Sequence, residues 1–308
     1  MKIVFMGSPE FAVPTLNALA TSMHDVVAVY SQPPRPSGRG QKVRKTPVHE
    51  LAEKYDIPVF TPEKLQDDAV DTLTSLKPDL IIVVAYGLIL PESVLNIAPS
   101  INLHPSALPK WRGAAPMNYP ILNGERETDI CIMQMEKGLD SGPVYLRESY
   151  NIGENETAGE LHDRFKDLGA KHMLHVVDHW AEYKNSAVPQ GGETCYAHKF
   201  KPQELKQLRT LDFTQSALEI HNQVCGLSPW PGAIFEHEGH EIKVLKSEVA
   251  VKTYEGQSGV VCDARGHKFF VQTHDGIIAF TELKRAGKRA MSADDFLKGY
   301  PINVGDQL

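Results

Sequence analysis

Residues 79-DLIIVVAYG-87 form an almost unbroken apolar run, as expected for a strand buried on both faces of a parallel sheet. Shorter apolar runs precede it, and each alternates with a segment of helical periodicity. The predicted strands are 2-KIVFMG-7, 26-VVAVYS-31 and 58-PVFT-61, and the predicted helices cover 13–22, 47–55 and 65–76. This alternation predicts a doubly wound α/β domain.

The pattern changes towards the C-terminal end. Strands are predicted over 100–103, 128–135 and 144–149, then a long amphipathic helix over 157–183 opened by a Thr157–Glu160 capping box. A stretch rich in glycine and proline follows, and after a helix over 214–224 come short strands at 232–239, 241–249, 259–263, 268–275 and 277–284. Such strands favour a small OB-like β-barrel. We therefore expect an N-terminal domain over 1–185, a linker over 186–208 and a C-terminal barrel domain over 209–308.

The candidate site lies in 102-NLHPSALPKWRGAAP-116 and 138-GLDSGP-143. Asn102, His104 and Asp140 supply an amide, an imidazole and a carboxylate, the groups that hold an oxyanion and move a proton. If the strand near 100 continues to His104, its two-residue period puts Asn102 and His104 on one face. That face would end at the carboxyl edge of the sheet, where ligands bind in this fold class. A lone N-x-H is more often structural, but these neighbours favour an acyl-transfer site.

Composition limits the class of protein. The 308 residues have a formal net charge of -7, so the whole chain is not a binder of polyanions. Its four cysteines are scattered without metal-ligand spacing, which indicates a reduced cytoplasmic setting. The N-terminus lacks a signal-peptide pattern, and the longest apolar run, 80–90, is too short to span a membrane.

Two alternative sites are weaker. The turn 7-GSPEFA-12 has one glycine where a dinucleotide fingerprint needs three, which argues against a nicotinamide cofactor. His172 and His175 could share a metal, but no third ligand accompanies them in a recognised spacing. We expect no metal, and a solvated helix face for these histidines.

A basic loop, 33-PPRPSGRGQKVRK-45, contains cations and no acid. It follows the second strand on the same edge as the candidate site, so phosphate contact is one interpretation. A solvated surface loop is the other. Its cations are Arg35, Arg39, Lys42, Arg44 and Lys45.

Taken in order, these motifs resemble the methionyl-tRNA formyltransferases, a family of folate-dependent formyltransferases, over nearly the whole chain. The similarity lies in 6-MGSPEFA-12, 35-RPSGRGQK-42, 83-VVAYGLILP-91, 102–116, 133-MQMEKGLDSG-142, 229-PWPGA-233 and 286-AGKRAMSADDFL-297. The Asn, His and Asp alone would indicate only the wider group that uses 10-formyltetrahydrofolate. The basic loop, the W-R-G-A-A-P segment and the C-terminal barrel point to a tRNA substrate.

The resemblance implies a Rossmann-like formyltransferase domain and transfer of a formyl group from 10-formyltetrahydrofolate to the α-amino group of initiator methionyl-tRNA. The product would be N-formylmethionyl-tRNA for translation initiation. Asn102 and an N–H of His104 would hold the oxyanion. Asp140 would orient His104, favour its charged form and help remove the proton of the attacking amine.

The resemblance also implies the binding residues. Folate contacts would come from Ser106, Ala107, Leu108, Pro109, Tyr86, Gly87, Leu88 and Ile89, and tRNA contacts from Arg35, Arg39, Lys42, Arg44 and Lys45. The chain departs from the usual family residues at Pro105 and Ala107, which changes side-chain packing at 107. The resemblance further implies an enzyme of the bacterial or organellar type that is located in the cytoplasm. It would be a monomer that needs no protein partner.

Two rival interpretations remain open. A formyltransferase acting on an amino sugar nucleotide would keep the same trio, so only the basic loop and the barrel separate it from a tRNA enzyme. A non-catalytic RNA-binding module on the same scaffold would predict that replacing Asn102 or His104 changes no activity.

Overall fold

The computed structural model describes residues 1–37, 42–250, 256–264 and 267–308. The chain forms two compact units that interleave along the sequence. The first contains Met1–Gly113, Asp129–Tyr150 and His162–Tyr196, and the second contains Ala114–Thr128, Asn151–Leu161 and Ala197–Leu308. The domains predicted from the sequence are instead consecutive, and their boundaries stay predictions.

The elements up to Gly113 follow the predicted alternation of strands and helices. They are β1 (Lys2–Gly7), a 3-10 helix (Glu10–Ala12), α1 (Val13–Ala20), β2 (Asp25–Tyr30), β3 (Arg35–Ser37), β4 (Lys42–Arg44), α2 (Pro47–Lys54), β5 (Val59–Phe60), α3 (Asp68–Ser75), β6 (Leu80–Val84), α4 (Glu92–Leu95), β7 (Ser100–His104) and β8 (Arg112–Gly113).

The remaining elements carry the chain through the rest of both units. They are α5 (Asn118–Leu122), β9 (Glu127–Gln134), β10 (Val144–Asn151), α6 (Ala158–Asp178), α7 (Trp180–Tyr183), β11 (Tyr196–Ala197), α8 (Leu205–Arg209), α9 (Ala217–Leu227), β12 (Ala233–His237), β13 (His240–Ala250), β14 (Val261–Asp263), β15 (Phe269–Gln272), β16 (Ile277–Arg285), β17 (Met291–Ser292) and α10 (Ala293–Gly299).

The sheet of the first unit runs in the order β10-β9-β7-β6-β1-β2-β5. The five strands β7, β6, β1, β2 and β5 are parallel to one another, and β9 pairs antiparallel with β7. Every residue of β6 is buried, as its continuous apolar sequence predicts. The Rossmann-like class is therefore confirmed, with an antiparallel strand beside the strand that carries the candidate site.

The basic loop contains a hairpin that the sequence did not predict. β3 pairs antiparallel with β4, with Arg35 opposite Arg44. Residues 38–41 lie outside the described part of the chain. The helix after this hairpin starts at a favourable cap, because the Thr46 side chain accepts a hydrogen bond from the His49 N–H at 3.1 Å.

The predicted single helix over 157–183 is wrong in one respect, since it divides into α6 and α7 at His179. Its predicted start is confirmed. The Glu160 N–H donates to Thr157 Oγ1 at 3.2 Å, and the Thr157 N–H donates to Glu160 Oε2 at 2.9 Å. Across the ranges described, no helix combines the length and the apolar character needed to cross a lipid bilayer.

The second unit is built on a curled antiparallel sheet in the order β12-β13-β16-β15-β14, with β17 added to β16. A register shift at Lys246 bends β13 against β16. The buried aromatic rings of Phe235, Phe269 and Phe280 meet in its core. This sheet confirms the predicted two-part fold class.

The stretch predicted as a linker has structure of its own. Val188 exchanges backbone hydrogen bonds with Val144 on β10, at 2.8 and 2.9 Å. Further on, Tyr196–Ala197 forms the short strand β11. Its low periodicity reflects pairing through isolated backbone contacts rather than a regular buried face.

Candidate active site

The strand β7 places two of the three predicted catalytic side chains. Asn102 and His104 are 8% and 4% exposed and stand two residues apart on the strand. Alternate residues of a strand share a face, so the predicted pairing of their side chains follows from the observed strand. Pro105 follows directly and favours an extended backbone at His104.

One of the two polar atoms of the Asn102 side-chain amide has a hydrogen-bond partner. Its Nδ2 donates to the Val83 carbonyl on β6 at 3.0 Å. Its Oδ1 is buried and has no hydrogen-bond partner among the residues that the structure describes. An unpaired buried acceptor is costly, so Oδ1 keeps an unused capacity to accept a hydrogen bond.

Hydrogen bonding fixes the tautomer of neutral His104. Its Nε2 lies 3.1 Å from the Trp111 carbonyl oxygen, which can only accept, so Nε2 carries the proton. The Nδ1 atom of the neutral ring is then an acceptor. The N–H that the sequence argument gave to the oxyanion is thus donated to Trp111 in this conformation.

Asp140 faces that ring across a gap. Its Oδ2 lies 3.7 Å from His104 Nδ1, beyond the range of a hydrogen bond, and accepts the Gly113 N–H at 2.8 Å. Asp140 has a φ of 48° and Gly113 a φ of 119°. Both backbones are in the left-handed region, which is uncommon for residues other than glycine, although aspartate adopts it more readily than most.

The pKa of the His104 imidazole is below its usual value. Burial is the largest cause, because it disfavours the charged ring, and the Asp140 carboxylate opposes it by favouring the charge. The Asp140 effect has the predicted direction, but burial is stronger. His104 is therefore neutral at neutral pH, with Nδ1 free to accept a proton.

The four loop residues expected to contact folate differ in exposure. Ser106 is fully buried, and its hydroxyl donates to the Lys110 carbonyl at 2.8 Å. Leu108 and Pro109 are also buried, whereas Ala107 is half-buried. The Ser106 side chain thus shapes the loop from inside, and a folate contact by these residues stays a prediction.

The second predicted folate segment follows β6. Tyr86 is buried, Gly87 has a φ of 87°, Leu88 is half-buried and Ile89 is exposed. The Tyr86 carbonyl accepts from the Ser8 hydroxyl at 3.0 Å and from the Gln32 amide at 3.3 Å. The loop is thus held from its backbone, and Ile89 is free to contact a ligand.

An ion pair between the exposed Arg147 and the buried Asp129 supports the predicted folate loop, and sequence reasoning missed it. Arg147 on β10 donates to Asp129 at 2.7 Å and to the Leu108 carbonyl at 2.5 Å. Ser149 also donates to Asp129, at 2.7 Å. The alternation of β10 could have shown which of its side chains face the same way, but not that Arg147 reaches Leu108.

Gln190 and Arg112 support the Asp140 turn, and they were missed too. The Gln190 amide donates to the carbonyls of Asp140 and Gly142 at 2.8 and 2.7 Å. Its Oε1 accepts from Arg112 Nε and Nη2 at 3.1 and 2.7 Å. No local sequence pattern marks Gln190, which lies in a stretch without periodicity.

Four of the five cations predicted to contact tRNA lie on or beside the β3–β4 hairpin. Arg35, Lys42 and Arg44 are exposed. Lys45 is also exposed, but it forms an ion pair with Glu53 at 2.6 Å, and the carboxylate partly offsets the positive potential around it. Arg39 lies outside the described residues.

Several side chains outside the trio have local partners, among them His172, which was considered above as a metal ligand. His172 Nε2 lies 2.6 Å from the Tyr150 hydroxyl. Within the described residues, no group of three or more potential metal ligands is close enough to bind an ion. In the second unit, Arg209 donates to the Gly232 carbonyl at 2.9 Å, and Arg285 lies 4.5 Å from the centre of the Tyr300 ring.

Comparison with known proteins agrees with this architecture. The family model described as formyl transferase matches residues 1–177, and the model for the formyl transferase C-terminal domain matches residues 205–301. The chain is therefore a member of the formyl transferases. The methionyl-tRNA formyltransferase of Alkaliphilus oremlandii is 43% identical over 312 residues, which cover 100% of this chain and 99% of that protein. The chain belongs to the methionyl-tRNA formyltransferase family.

Solved structures share the fold at lower identity. An N-formyltransferase from Helicobacter canadensis, in complex with folinic acid and dTDP-3-aminofucose, has a TM-score of 0.70 and 19% identity, over 91% of this chain and 98% of that one. The methionyl-tRNA formyltransferase from Clostridium thermocellum has a TM-score of 0.56 and 14% identity, over 81% and 94%. At this identity the likeness shows the fold alone.

Proposed function

We propose that this enzyme transfers the formyl group of 10-formyltetrahydrofolate to the α-amino group of initiator methionyl-tRNA. One observation carries the choice of acceptor: the 43% identity to a methionyl-tRNA formyltransferase extends over the whole chain. The N-formyltransferase crystallised with an amino sugar nucleotide is 19% identical. The product is N-formylmethionyl-tRNA, which serves translation initiation.

The residues around Asn102 fit a formyl donor that has polar and apolar parts. Asn102 Nδ2 has a second N–H that Val83 does not use, and this N–H can donate to the formyl oxygen of the folate. Leu88 and Ile89 supply apolar surface after β6, and the half-buried Ala107 follows β7. We assign the folate contacts to 86–89 and 106–109. When bound, the donor supplies a formyl group activated for attack by an amine.

His104 and Asp140 remove the proton from the acceptor amine. The Nδ1 of neutral His104 and the Asp140 carboxylate are two acceptors that face each other across 3.7 Å. The ammonium form of an α-amino group must lose a proton before it can attack, and this gap accepts that proton directly or through water. The Trp111 carbonyl keeps the ring in the required tautomer.

Asn102 acts on both reacting groups. Its Oδ1 accepts an N–H of the amine and orients the nitrogen lone pair towards the formyl carbon. The second N–H of its Nδ2, which Val83 does not use, stabilises the negative charge that develops on the formyl oxygen. A carbon–nitrogen bond forms to the methionyl amine, the bond to N10 of the folate breaks, and N10 takes up a proton as the amine loses one.

The tRNA reaches the enzyme through the hairpin cations. Arg35, Lys42 and Arg44 are exposed, as phosphate contacts require, and we include Arg39 and Lys45 among the proposed tRNA contacts. The formal net charge of -7 makes such a local cationic surface necessary for RNA binding. The enzyme acts as a monomer in the cytoplasm, and its four free cysteines fit a reducing compartment.

Steady-state kinetics with three acceptors test the proposal. Initiator methionyl-tRNA, free methionine and an amino sugar nucleotide are compared at a fixed saturating concentration of 10-formyltetrahydrofolate. We expect kcat/KM for methionyl-tRNA to exceed the other two by several orders of magnitude. A comparable kcat/KM for the sugar nucleotide would assign the enzyme to small-molecule formylation instead.

A further inference from the structure

We propose that Gln190 is a positioning residue for formyl transfer, whose side-chain amide sets the separation of Asp140 from His104. The inference rests on the proposed function above. Gln190 lies between the two family-model matches, which end at residue 177 and begin again at residue 205. It belongs to the first compact unit, together with both catalytic residues.

The Gln190 amide is fully satisfied in one orientation. Nε2 donates one N–H to the Asp140 carbonyl at 2.8 Å and the other to the Gly142 carbonyl at 2.7 Å. Oε1 accepts two guanidinium N–H groups of Arg112. Turning the amide over would face acceptors with an acceptor and donors with a donor, so the contacts fix its direction.

The segment that carries Gln190 is itself anchored. Val188 is paired with Val144 on β10 by two backbone hydrogen bonds. Val188 and Pro189 are exposed, whereas Gln190 is half-buried with its amide against the Asp140 turn. Gln190 thus links the turn to the edge of the sheet.

The Asp140 turn needs this support. Asp140 has a φ of 48°, in the left-handed region that is uncommon for residues other than glycine. Gly142 fits closely under Gln134, where a Cβ would lie 2.1 Å from the Gln134 carbonyl oxygen. Because Gln190 holds the carbonyls on both sides of Ser141, it opposes relaxation of the turn.

Arg112 connects Gln190 to the segment that contacts both His104 and Asp140. Its neighbour Trp111 accepts the Nε2–H of His104, and its other neighbour, Gly113, donates to the Asp140 carboxylate. Gln190 connects Arg112 back to the Asp140 backbone. His104 and Asp140, which lie 3.7 Å apart, are therefore both held by the segment 111–113, and Gln190 connects that segment to the Asp140 backbone.

The decisive variant is Gln190→Met, which has a similar shape but neither donates nor accepts. We expect kcat to fall by up to about 100-fold, as for a displacement of a catalytic group by about 1 Å, with KM for both substrates within about twofold. The matched control is Gln223→Met in the second unit. Gln223 also donates to two carbonyls, those of Leu208 and Thr210, and its replacement should leave kcat unchanged.

A titration separates positioning from general stability. The Asp140 carboxylate favours the charged form of His104 and so opposes the effect of burial on its pKa. If the carboxylate moves away from the ring, the His104 titration should move to lower pH. NMR of the folded enzyme without substrate follows this titration. The acid limb of kcat/KM should move the same way. If Gln190→Met does not fold, Gln190→Asn, which is too short to reach both carbonyls, gives the same measurements.

The outcomes decide the inference separately from the proposed function. A lower kcat with a displaced His104 titration supports positioning by Gln190. An unchanged kcat, or a lower kcat with an unmoved titration, overturns it. The substrate-free titration does not depend on which amine is formylated, so a failure of the wild-type enzyme on methionyl-tRNA would count against the proposed function alone.

Discussion

The Nδ1 atom of His104 lies 3.7 Å from Oδ2 of Asp140, and no hydrogen bond joins the two groups. Each is held by a different backbone group, His104 by the Trp111 carbonyl and Asp140 by the Gly113 N–H. The result is a pair of acceptors kept slightly apart. Such a gap is suited to a transferable proton, and under the proposed function the acid–base chemistry lies between two side chains rather than on one.

Replacing Asp140 with asparagine should lower kcat by about 10²- to 10⁴-fold, the usual contribution of a positioned acid or base. The amide still fits the turn and can accept the Gly113 N–H, but it takes up no proton. Single-turnover formylation of methionyl-tRNA measures the loss. Asp163→Asn, an exposed carboxylate paired with Lys166, is the control. A loss below tenfold would remove Asp140 from proton transfer.

Replacing Asn102 with alanine should reduce kcat by about 10²- to 10³-fold, as expected when one donor to an oxyanion is lost. Binding of both substrates should change less. The matched control is Asn118→Ala, since Asn118 likewise donates its side-chain amide to a backbone carbonyl, that of Gly226 at 2.8 Å. Equal effects of the two variants on kcat would show that Asn102 only supports the fold.

The activity should persist at lower pH than an ordinary histidine allows. Because burial lowers the pKa of His104, the neutral ring remains present below the usual value of about 6.5. The acid limb of the kcat/KM profile should therefore lie below that pH. A profile that falls with an apparent pKa above 7 would contradict a neutral, buried His104 as the proton acceptor.

Stability should decrease as the pH falls from 7.5 to 5.5. The pKa values of His104 and His221 are both lowered, in each case mainly by burial. The unfolded chain then binds protons that the folded chain does not, so the stabilisation is complete above about 6.5 and is lost progressively below it. Urea denaturation at the two pH values measures this. A free energy of unfolding that rises towards pH 5.5 would contradict lowered pKa values for these two histidines.

The hairpin cations should set part of the salt dependence of tRNA binding. The triple variant Arg35→Gln, Lys42→Gln, Arg44→Gln should reduce the slope of log K against log salt by about 0.7 to 0.9 for each phosphate contact removed. Lys45→Gln should change it less, because Lys45 is paired with Glu53. Lys298→Gln, an exposed lysine paired with Asp294, is the control. An unaltered slope would exclude the hairpin from phosphate contact.

The sequence predicts features that depend on local periodicity. The buried strand β6 follows from its apolar run, and the shared face of Asn102 and His104 follows from the two-residue repeat of β7. The Thr157–Glu160 cap is likewise a local pattern with a fixed spacing. These elements could be placed because each depends on neighbours only a few residues away.

Other features depend on residues far apart in the chain. Gln190 reaches Asp140 across 50 positions, and Arg147 reaches Leu108 across 39. Their partners are backbone carbonyls, which every residue has and no sequence motif marks. The hydrogen bond from His104 to Trp111 is similar, and it changed the proposed role of His104 from an oxyanion donor to a proton acceptor.

Transfer of a labelled formyl group tests the proposed reaction most directly. The donor is 10-formyltetrahydrofolate labelled in its formyl group, and initiator methionyl-tRNA is present with an equal concentration of an amino sugar nucleotide. We predict that the wild-type enzyme places the label on the methionyl α-amino group, and that His104→Ala fails to do so above the uncatalysed rate. Label found mainly on the sugar amine, or on methionyl-tRNA at the same rate with both proteins, would contradict the proposal.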